Sequence, residues 1–77
     1  MHGMEVLAMT KEIAERIKAA RKAAGYTQVQ LGEKLGYEGR IGEVTVSRWE
    51  RNERPVPLDK IRLLASLLGL TIDDLIP

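Results

Sequence analysis

The segment from Gly25 to Gly36, GYTQVQLGEKLG, strongly restricts how this chain can fold. Thr27 and Gln30 have the spacing of a capping box, in which each side chain accepts a hydrogen bond from the other residue's backbone N–H group. Tyr26 and Leu31 stand where a hydrophobic staple would close around that box. Because glycine favours the left-handed turn that ends a helix, the two glycines limit the predicted helix to about two turns.

Similar start and stop signals predict three further short helices, over residues 10–24, 58–68 and 71–76. Thr10 and Thr71 are suitable caps, and Gly25 and Gly69 are suitable stops. The first helix carries an apolar stripe at helical spacing, formed by Ile13, Ile17, Ala20 and Ala24. The fourth carries a wider apolar face, formed by Leu58, Ile61, Leu64, Ala65 and Leu68.

The segment between the second and fourth helices is less regular. GYEGRIG, residues 36–42, has glycine at every third position and no apolar stripe, so it is predicted to be a seven-residue loop. Residues 44–52 fit a helix with Val46 and Trp49 on one face, but their β-branched start also fits a strand. Pro55 and Pro57 then exclude a continuous helix.

Length and composition indicate one small domain. The chain has 77 residues, a net charge of +1 and no cysteine, which excludes disulfides and cysteine-based metal sites or nucleophiles. Its one histidine is His2. No catalytic constellation, metal site, cofactor site or membrane span is indicated, so an enzyme is not expected. Residues 1–9 are predicted to be a flexible tail, and residues 10–77 a domain.

Four segments in order carry a family resemblance: ARKAAGYTQ, QLGEKLG, TVSRWERNERP and LDKIRLLASLLGLTIDDL. The chain resembles the lambda-repressor-like, Cro/XRE-type helix-turn-helix family. The resemblance implies an all-α, compact five-helix lambda-repressor-like domain containing a helix-turn-helix. It also implies that the helix around residues 43–51 is the recognition helix, which enters the major groove of double-stranded DNA.

By the same resemblance, the start of the second helix contacts a DNA phosphate. Thr27 would present backbone N–H groups, and Gln28 an amide donor. Thr27 also has a purely structural interpretation as a cap. Both roles are compatible, since the cap oxygen points into the helix while Gln28 points outward.

The resemblance places four residues on the outward face of the recognition helix, namely Glu43, Val44, Ser47 and Arg48. Arg48 would grip guanine O6 and N7, and Val44 would pack on a thymine methyl group. Glu43 would accept from a cytosine amino group or merely cap the helix. Val44 also fits a position beneath the preceding loop.

Trp49 fits either a stacking platform for single-stranded nucleic acid or a core anchor, and its position after Val46 favours the core. The resemblance also implies an ion pair between Arg21 and Glu50 that orients the recognition helix. One structural alternative remains beside the functional roles of the residues that follow. Arg51, Asn52 and Arg54 would contact the DNA backbone or minor groove, although Arg54 also has Glu53 as a possible partner.

The seven-residue turn departs from the family's usual three to four residues. From that loop, Arg40 would reach a phosphate, or the loop would shift the recognition helix in the groove. Gly42 takes the place of the usual polar cap.

These interpretations lead to a cytoplasmic, nucleoid-associated regulator that binds specific double-stranded DNA, most simply a repressor acting as a homodimer. The alternative is an antitoxin-like or phage accessory module whose main partner is a protein. An apolar patch around Leu67, Leu70 and Ile76 would serve either a homodimer or such a partner.

Overall fold

Four short α-helices and one 3-10 helix make up the part of the fold that the structure describes. The structure is a computed structural model and describes residues 9–76. The helices are α1 (Lys11–Ala23), α2 (Gln28–Lys34), α3 (Gly39–Glu50) and α4 (Leu58–Leu68), followed by a 3-10 helix over Ile72–Leu75. Within the described residues, no helix has both the length and the apolar character needed to cross a membrane.

Local capping accounts for where α1 and α2 begin and end. The Thr10 hydroxyl accepts from the Ile13 N–H at 3.1 Å. The predicted capping box of Thr27 and Gln30 is present in both directions, at 2.9 and 3.0 Å. Beyond each helix, the backbone turns back at a glycine with positive φ, +85° at Gly25 and +95° at Gly36. These boundaries confirm the sequence predictions, because each depends on contacts within a few residues.

The prediction of a seven-residue loop before the recognition helix is wrong. Helix α3 begins at Gly39, and the turn from Leu35 to Glu38 has four residues. Gly42 is therefore not a cap but a buried residue in the second turn of α3. Glu38 occupies the cap position and makes no side-chain capping bond.

Close contact between two helices explains why glycine stands inside α3. A Cβ atom added at Gly32 in α2 would lie 2.6 Å from the Cα atom of Gly42. A Cβ atom added at Gly42 would lie 2.9 Å from the Cα atom of Gly32. Real carbon atoms pack at about 3.5–4.0 Å. The two helices can therefore cross at this distance only because both positions lack a side chain.

The core lies between the inner faces of all the helices. Its buried residues are Ile13, Ile17, Leu31, Leu35, Val46, Trp49, Val56, Ile61, Leu64, Ala65, Leu68 and Leu75. Val56, between the two prolines, was not predicted to be buried, and it fastens the loop after α3 to the core. The predicted stripes are wrong at their ends, because Leu58 in the first turn of α4 and Ala24 at the cap of α1 are exposed.

The last predicted helix is a single 3-10 turn, so residues 9–76 contain four α-helices rather than five. Thr71 and Asp74 form a second capping box, with Thr71 N–H donating to the Asp74 carboxylate at 2.8 Å. The Asp74 N–H bonds the Thr71 carbonyl oxygen three residues back, at 3.1 Å, which is the 3-10 pattern. The Thr71 backbone N–H first, and the Thr71 hydroxyl next, donate to the Asp74 carboxylate and hold the pKa of Asp74 below its ordinary value.

Met9, which the sequence analysis assigned to a flexible tail, packs against the core. The other residues of that predicted tail, including His2, lie outside the described residues.

Candidate nucleic-acid interface

Helix α3 has one buried and one exposed face. Gly42, Val46 and Trp49 point into the protein. Arg40, Val44 and Arg48 follow one another at intervals of four residues and are exposed, so they line one side of the helix. The reassigned start of α3 places Arg40 in the first turn of this helix and not in a loop. Ser47 is half-buried beside this row.

An ion pair fixes the inner side of α3 to α1. The Arg21 guanidinium donates to the Glu50 carboxylate through Nε at 2.6 Å and through Nη2 at 3.1 Å. The two side chains are only 9% and 2% exposed. Arg21 also donates through Nη1 to the Tyr26 carbonyl oxygen at 2.8 Å. One side chain of α1 thus holds both the end of α3 and the turn that leads into α2.

Gln28 joins the same cluster. Its Nε2 atom donates to Glu50 Oε1 at 3.1 Å, and its side chain is half-buried. The start of α2 therefore lies beside the end of α3. Since a primary amide has two N–H groups, this bond leaves one donor for an outside acceptor. From the sequence, the Gln28 side chain was predicted to point outward. Its contact with Glu50, 22 residues away, was not predicted.

Thr27 has a capping role, and Glu43 lies on one flank of α3. Thr27 is exposed, and its hydroxyl caps α2. Glu43 is exposed in α3, seven residues before Glu50. That spacing puts Glu43 on the flank of α3 nearer to Glu50 than to the row through Val44. Glu43 does not cap α3, because the helix begins four residues earlier.

The C-terminal end of α3 turns sharply at Asn52. This residue has φ of +58°, which asparagine tolerates better than most residues. The Glu53 N–H bonds the Arg48 carbonyl oxygen at 2.9 Å, and the Asn52 N–H bonds that of Trp49 at 3.1 Å, a Schellman ending. Asn52 therefore shapes the backbone that carries the basic residues on either side of it.

The basic residues after α3 differ in their partners. Arg51 pairs with Glu53 at 3.3 Å, and both side chains are more than half exposed, so the pair is weak. The suggested pairing of Arg54 with Glu53 is not present. Arg54 instead lines a cleft of about 130 Å³ together with Arg48 and Trp49. The structure thus brings Arg48 and Arg54, six residues apart in sequence, to one cleft.

Trp49 is 1% exposed, which confirms the core interpretation and makes stacking on a nucleic-acid base wrong. Tyr37, in the turn before α3, meets its ring edge to face, with centroids 6.3 Å apart. Lys60 of α4 lies 4.9 Å from the Tyr37 ring centroid and donates to the Leu35 carbonyl oxygen at 3.0 Å. Burial, and then the Asp59 charge, raise the pKa of Tyr37. These contacts hold the turn against α4.

Ile41 is the residue that sequence reasoning missed. It was placed in a loop, but it stands in the first turn of α3 and is 65% exposed. Together with Arg40, Val44, Thr45 and Arg48, it lines a shallow groove on the outside of the helix. Its spacing from Val44 and Arg48 would have revealed this position if α3 had been extended back to Gly39.

Comparison with known proteins establishes the family. The profile of a family described as helix-turn-helix matches residues 17–75, more than half of the chain. The chain belongs to the Cro/XRE-type helix-turn-helix family. This family consists of DNA-binding transcription regulators and not of enzymes.

One similar protein and two solved structures agree with this assignment. The HTH-type transcriptional regulator ImmR of Bacillus subtilis (strain 168) is 36% identical over 64 residues, which are 83% of this chain and 47% of ImmR. The chain thus spans about half the length of that relative.

Two solved structures have the same lambda-repressor-like fold. One is the restriction-modification controller protein C.AhdI from Aeromonas hydrophila, with a TM-score of 0.68 and 28% identity over 83% of this chain and 91% of that chain. The other is the DNA-binding domain of BldD, with a TM-score of 0.66 and 28% identity over 87% of this chain and 92% of that chain.

Proposed function

We propose that this chain binds a specific double-stranded DNA sequence by placing α3 in the major groove, and that it regulates transcription in this way. The observation that carries the proposal is the row of Arg40, Val44 and Arg48 on the exposed side of a helix whose other side is fixed by Glu50. A rigid helix with exposed guanidinium groups is suited to contact base edges. In this arrangement Arg48 grips guanine, with Ser47 beside it.

The backbone contacts come from two places beside α3. The N-terminus of α2, with Thr27 and the second N–H of Gln28, contacts one phosphate. Arg51, Asn52 and Arg54 at the other end of α3 contact the backbone of the same groove. Glu43 stands aside from the bases, because a carboxylate near phosphates is unfavourable without a partner. These contacts orient α3, whereas the bases beneath it supply the sequence dependence.

The regulator acts most simply as a repressor and as a homodimer on DNA, in the cytoplasm at the nucleoid. The dimer is supported by exposed aliphatic side chains on α4 and beyond it, at Leu63, Ile72 and Ile76. Two copies of α3 would then enter successive major grooves about 34 Å apart. Sedimentation of the protein with and without its selected duplex measures the stoichiometry, and one protein per asymmetric site would contradict the dimer.

The same apolar surface favours a second candidate function, an antitoxin-like or phage accessory module that binds another protein. Leu67 and Leu70 are partly buried within this surface and Ile76 is exposed. This candidate and the first differ in their affinity for duplex DNA, which is the quantity to measure.

The salt dependence of duplex binding tests the proposal. Arg40, Arg51 and Arg54 are three exposed cations, so each protomer would neutralise about three phosphates. The slope of log K against log salt is then about −3 for a monomer and about −5 for a dimer, at about −0.9 per phosphate. Fluorescence anisotropy with a site selected from a random duplex pool gives this slope. No duplex binding even at about 50 mM salt would contradict the proposal and favour the protein-binding module.

A further inference from the structure

Two aliphatic side chains stand side by side on the exposed face of α3. Ile41 is 65% exposed and Val44 is 36% exposed. Residues three apart on a helix are neighbours, with Cβ atoms about 5–6 Å from each other. A single exposed aliphatic residue on a protein surface needs no explanation. A pair at the start of the helix that is proposed to enter DNA suggests a contact with an apolar feature of the ligand.

The groove around this pair has a defined chemistry. Its other lining residues are Arg40, Thr45 and Arg48. The Thr45 hydroxyl donates to the Ile41 carbonyl oxygen at 2.7 Å, so that donor is already used within the helix. No carboxylate lines the groove. It therefore presents two aliphatic side chains between two guanidinium groups.

We propose that Ile41 and Val44 read thymine C5-methyl groups, so that the preferred half-site carries two thymines one or two base pairs apart. This assignment rests on the proposed function. The thymine methyl is the apolar group that base edges display in the major groove. Base pairs are stacked about 3.4 Å apart, and the separation of about 5–6 Å between the two side chains corresponds to one or two steps.

Charge favours DNA over a protein as the occupant of this groove. Arg40 and Arg48 are eight residues apart, which is about 12 Å along the helix axis. They thus stand on either side of the methyl-reading pair, separated by about three to four base steps. Guanine edges and phosphates both offer acceptors to guanidinium groups at that spacing. Duplex DNA offers both of the features that match this groove: methyl groups for the aliphatic pair, and hydrogen-bond acceptors on either side of them for the guanidinium groups.

Ile41 is the specificity residue that this inference adds. It loses more contact with water than Val44 when α3 enters the groove, because it is more exposed beforehand. Covering one methyl group contributes about fourfold to affinity. Since the stability of the fold does not depend on an exposed side chain, Ile41→Ala should change DNA selection without unfolding the protein.

A double-mutant cycle between protein and DNA tests the assignment. Each thymine of a site selected from a random duplex pool is replaced singly by deoxyuridine, which removes only the C5-methyl group. Wild-type protein, Ile41→Ala, Val44→Ala and the control Leu58→Ala are then titrated against each duplex at one salt concentration. Circular dichroism at 222 nm checks the fold of every variant. Leu58 is an exposed leucine in the first turn of α4, so Leu58→Ala also removes exposed aliphatic carbon atoms, but outside α3 and outside the apolar surface proposed for the dimer.

We expect wild-type affinity to fall about fourfold at two thymine positions. Ile41→Ala should lose the response at one position and keep the other, Val44→Ala should do the reverse, and Leu58→Ala should keep both. A selected site without closely spaced thymines would overturn the assignment. So would full uracil responses in Ile41→Ala, or tight sequence-specific binding that uracil does not weaken, which would leave the pair as a protein contact. In those cases the proposed function stands, whereas no binding to any duplex would overturn both.

Discussion

Adding one methyl group where α2 and α3 cross should destabilise the protein, although alanine is the better helix former. Gly32→Ala puts a Cβ atom 2.6 Å from the Cα atom of Gly42 and 2.7 Å from its carbonyl carbon. The comfortable carbon–carbon separation begins at about 3.5 Å, so the shortfall is about 0.9 Å. The obstructing atoms are backbone atoms of a buried turn, and they can move only if the two helices separate.

The magnitude follows from two opposing terms. Alanine gains about 1 kcal/mol over glycine in a helix interior. Overpacking a buried contact costs typically about 1–3 kcal/mol, occasionally more. A clash with backbone on this scale belongs at the upper end, about 3 kcal/mol, so we expect a net loss of about 2 kcal/mol. For a domain of this size, that corresponds to a fall in Tm of roughly 8–16 °C. Gly42→Ala should lose less, because its closest approach is 2.9 Å.

Thermal and urea unfolding followed by circular dichroism measure this loss. Ala19→Gly, at an exposed position of α1, is the matched control, since it reports the helix-propensity term without any crossing contact. A rise in Tm for Gly32→Ala, comparable in size to the fall for Ala19→Gly, would refute the reasoning. It would mean that α2 and α3 do not touch at these glycines and that α3 is oriented by other contacts.

Substitutions at three further residues test the supports of α3 and the last turn. Trp49→Ala should cost about 3–5 kcal/mol and lower Tm by more than about 12 °C, and an unchanged Tm would show that this side chain is not in the core. Glu50→Ala should lower the free energy of unfolding, measured with urea, by about 3–5 kcal/mol, because it leaves the buried Arg21 charge without its partner. Glu50→Gln should lower it by less, and equal losses of free energy in the two variants would contradict a charge effect. For Asp74→Ala, the Tm deficit should be full above the ordinary carboxyl pKa of about 4, shrink as pH falls and vanish below the lowered pKa of folded Asp74. A deficit that stays constant between pH 7 and pH 2 would exclude a role for the Asp74 charge.

The features that the sequence predicted correctly depend on neighbours within a few residues. The capping box at Thr27 and the cap at Thr71 join residues three apart, and the stops at Gly25 and Gly69 depend on the conformation of one residue. Such contacts can be identified by spacing alone. Trp49 was placed correctly for a related reason, since its interval from Val46 indicates the inner stripe of a helix.

The start of α3 could not be predicted in this way. Glycine is a poor helix former, so Gly39 and Gly42 pointed to a loop. The place of Gly42 in the helix depends on the close approach of Gly32, and that contact is tertiary. The prediction of a loop placed Arg40 and Ile41 outside α3. It therefore hid the aliphatic pair that Ile41 forms with Val44.

Partners distant in sequence were equally hidden. Glu50 accepts from Arg21 and Gln28, 29 and 22 residues away. The Arg21 contact was suggested only by the family resemblance, and the Gln28 contact was not suggested at all. Arg54 had Glu53 as an adjacent candidate partner, yet Glu53 pairs with Arg51, because the turn at Asn52 brings those two side chains together.

The affinity of Arg48→Ala for two duplexes tests most directly whether the exposed side of α3 reads base sequence. The selected site and a scrambled site of equal composition are titrated at one salt concentration. Arg62→Ala, an exposed arginine of α4, is the control for the same loss of charge. We predict that Arg48→Ala loses about 1–3 kcal/mol on the selected site and much less on the scrambled one, whereas Arg62→Ala binds both as the wild type does. Equal losses by Arg48→Ala on both duplexes would contradict base reading by α3, because Arg48 would then contact a phosphate and not a base.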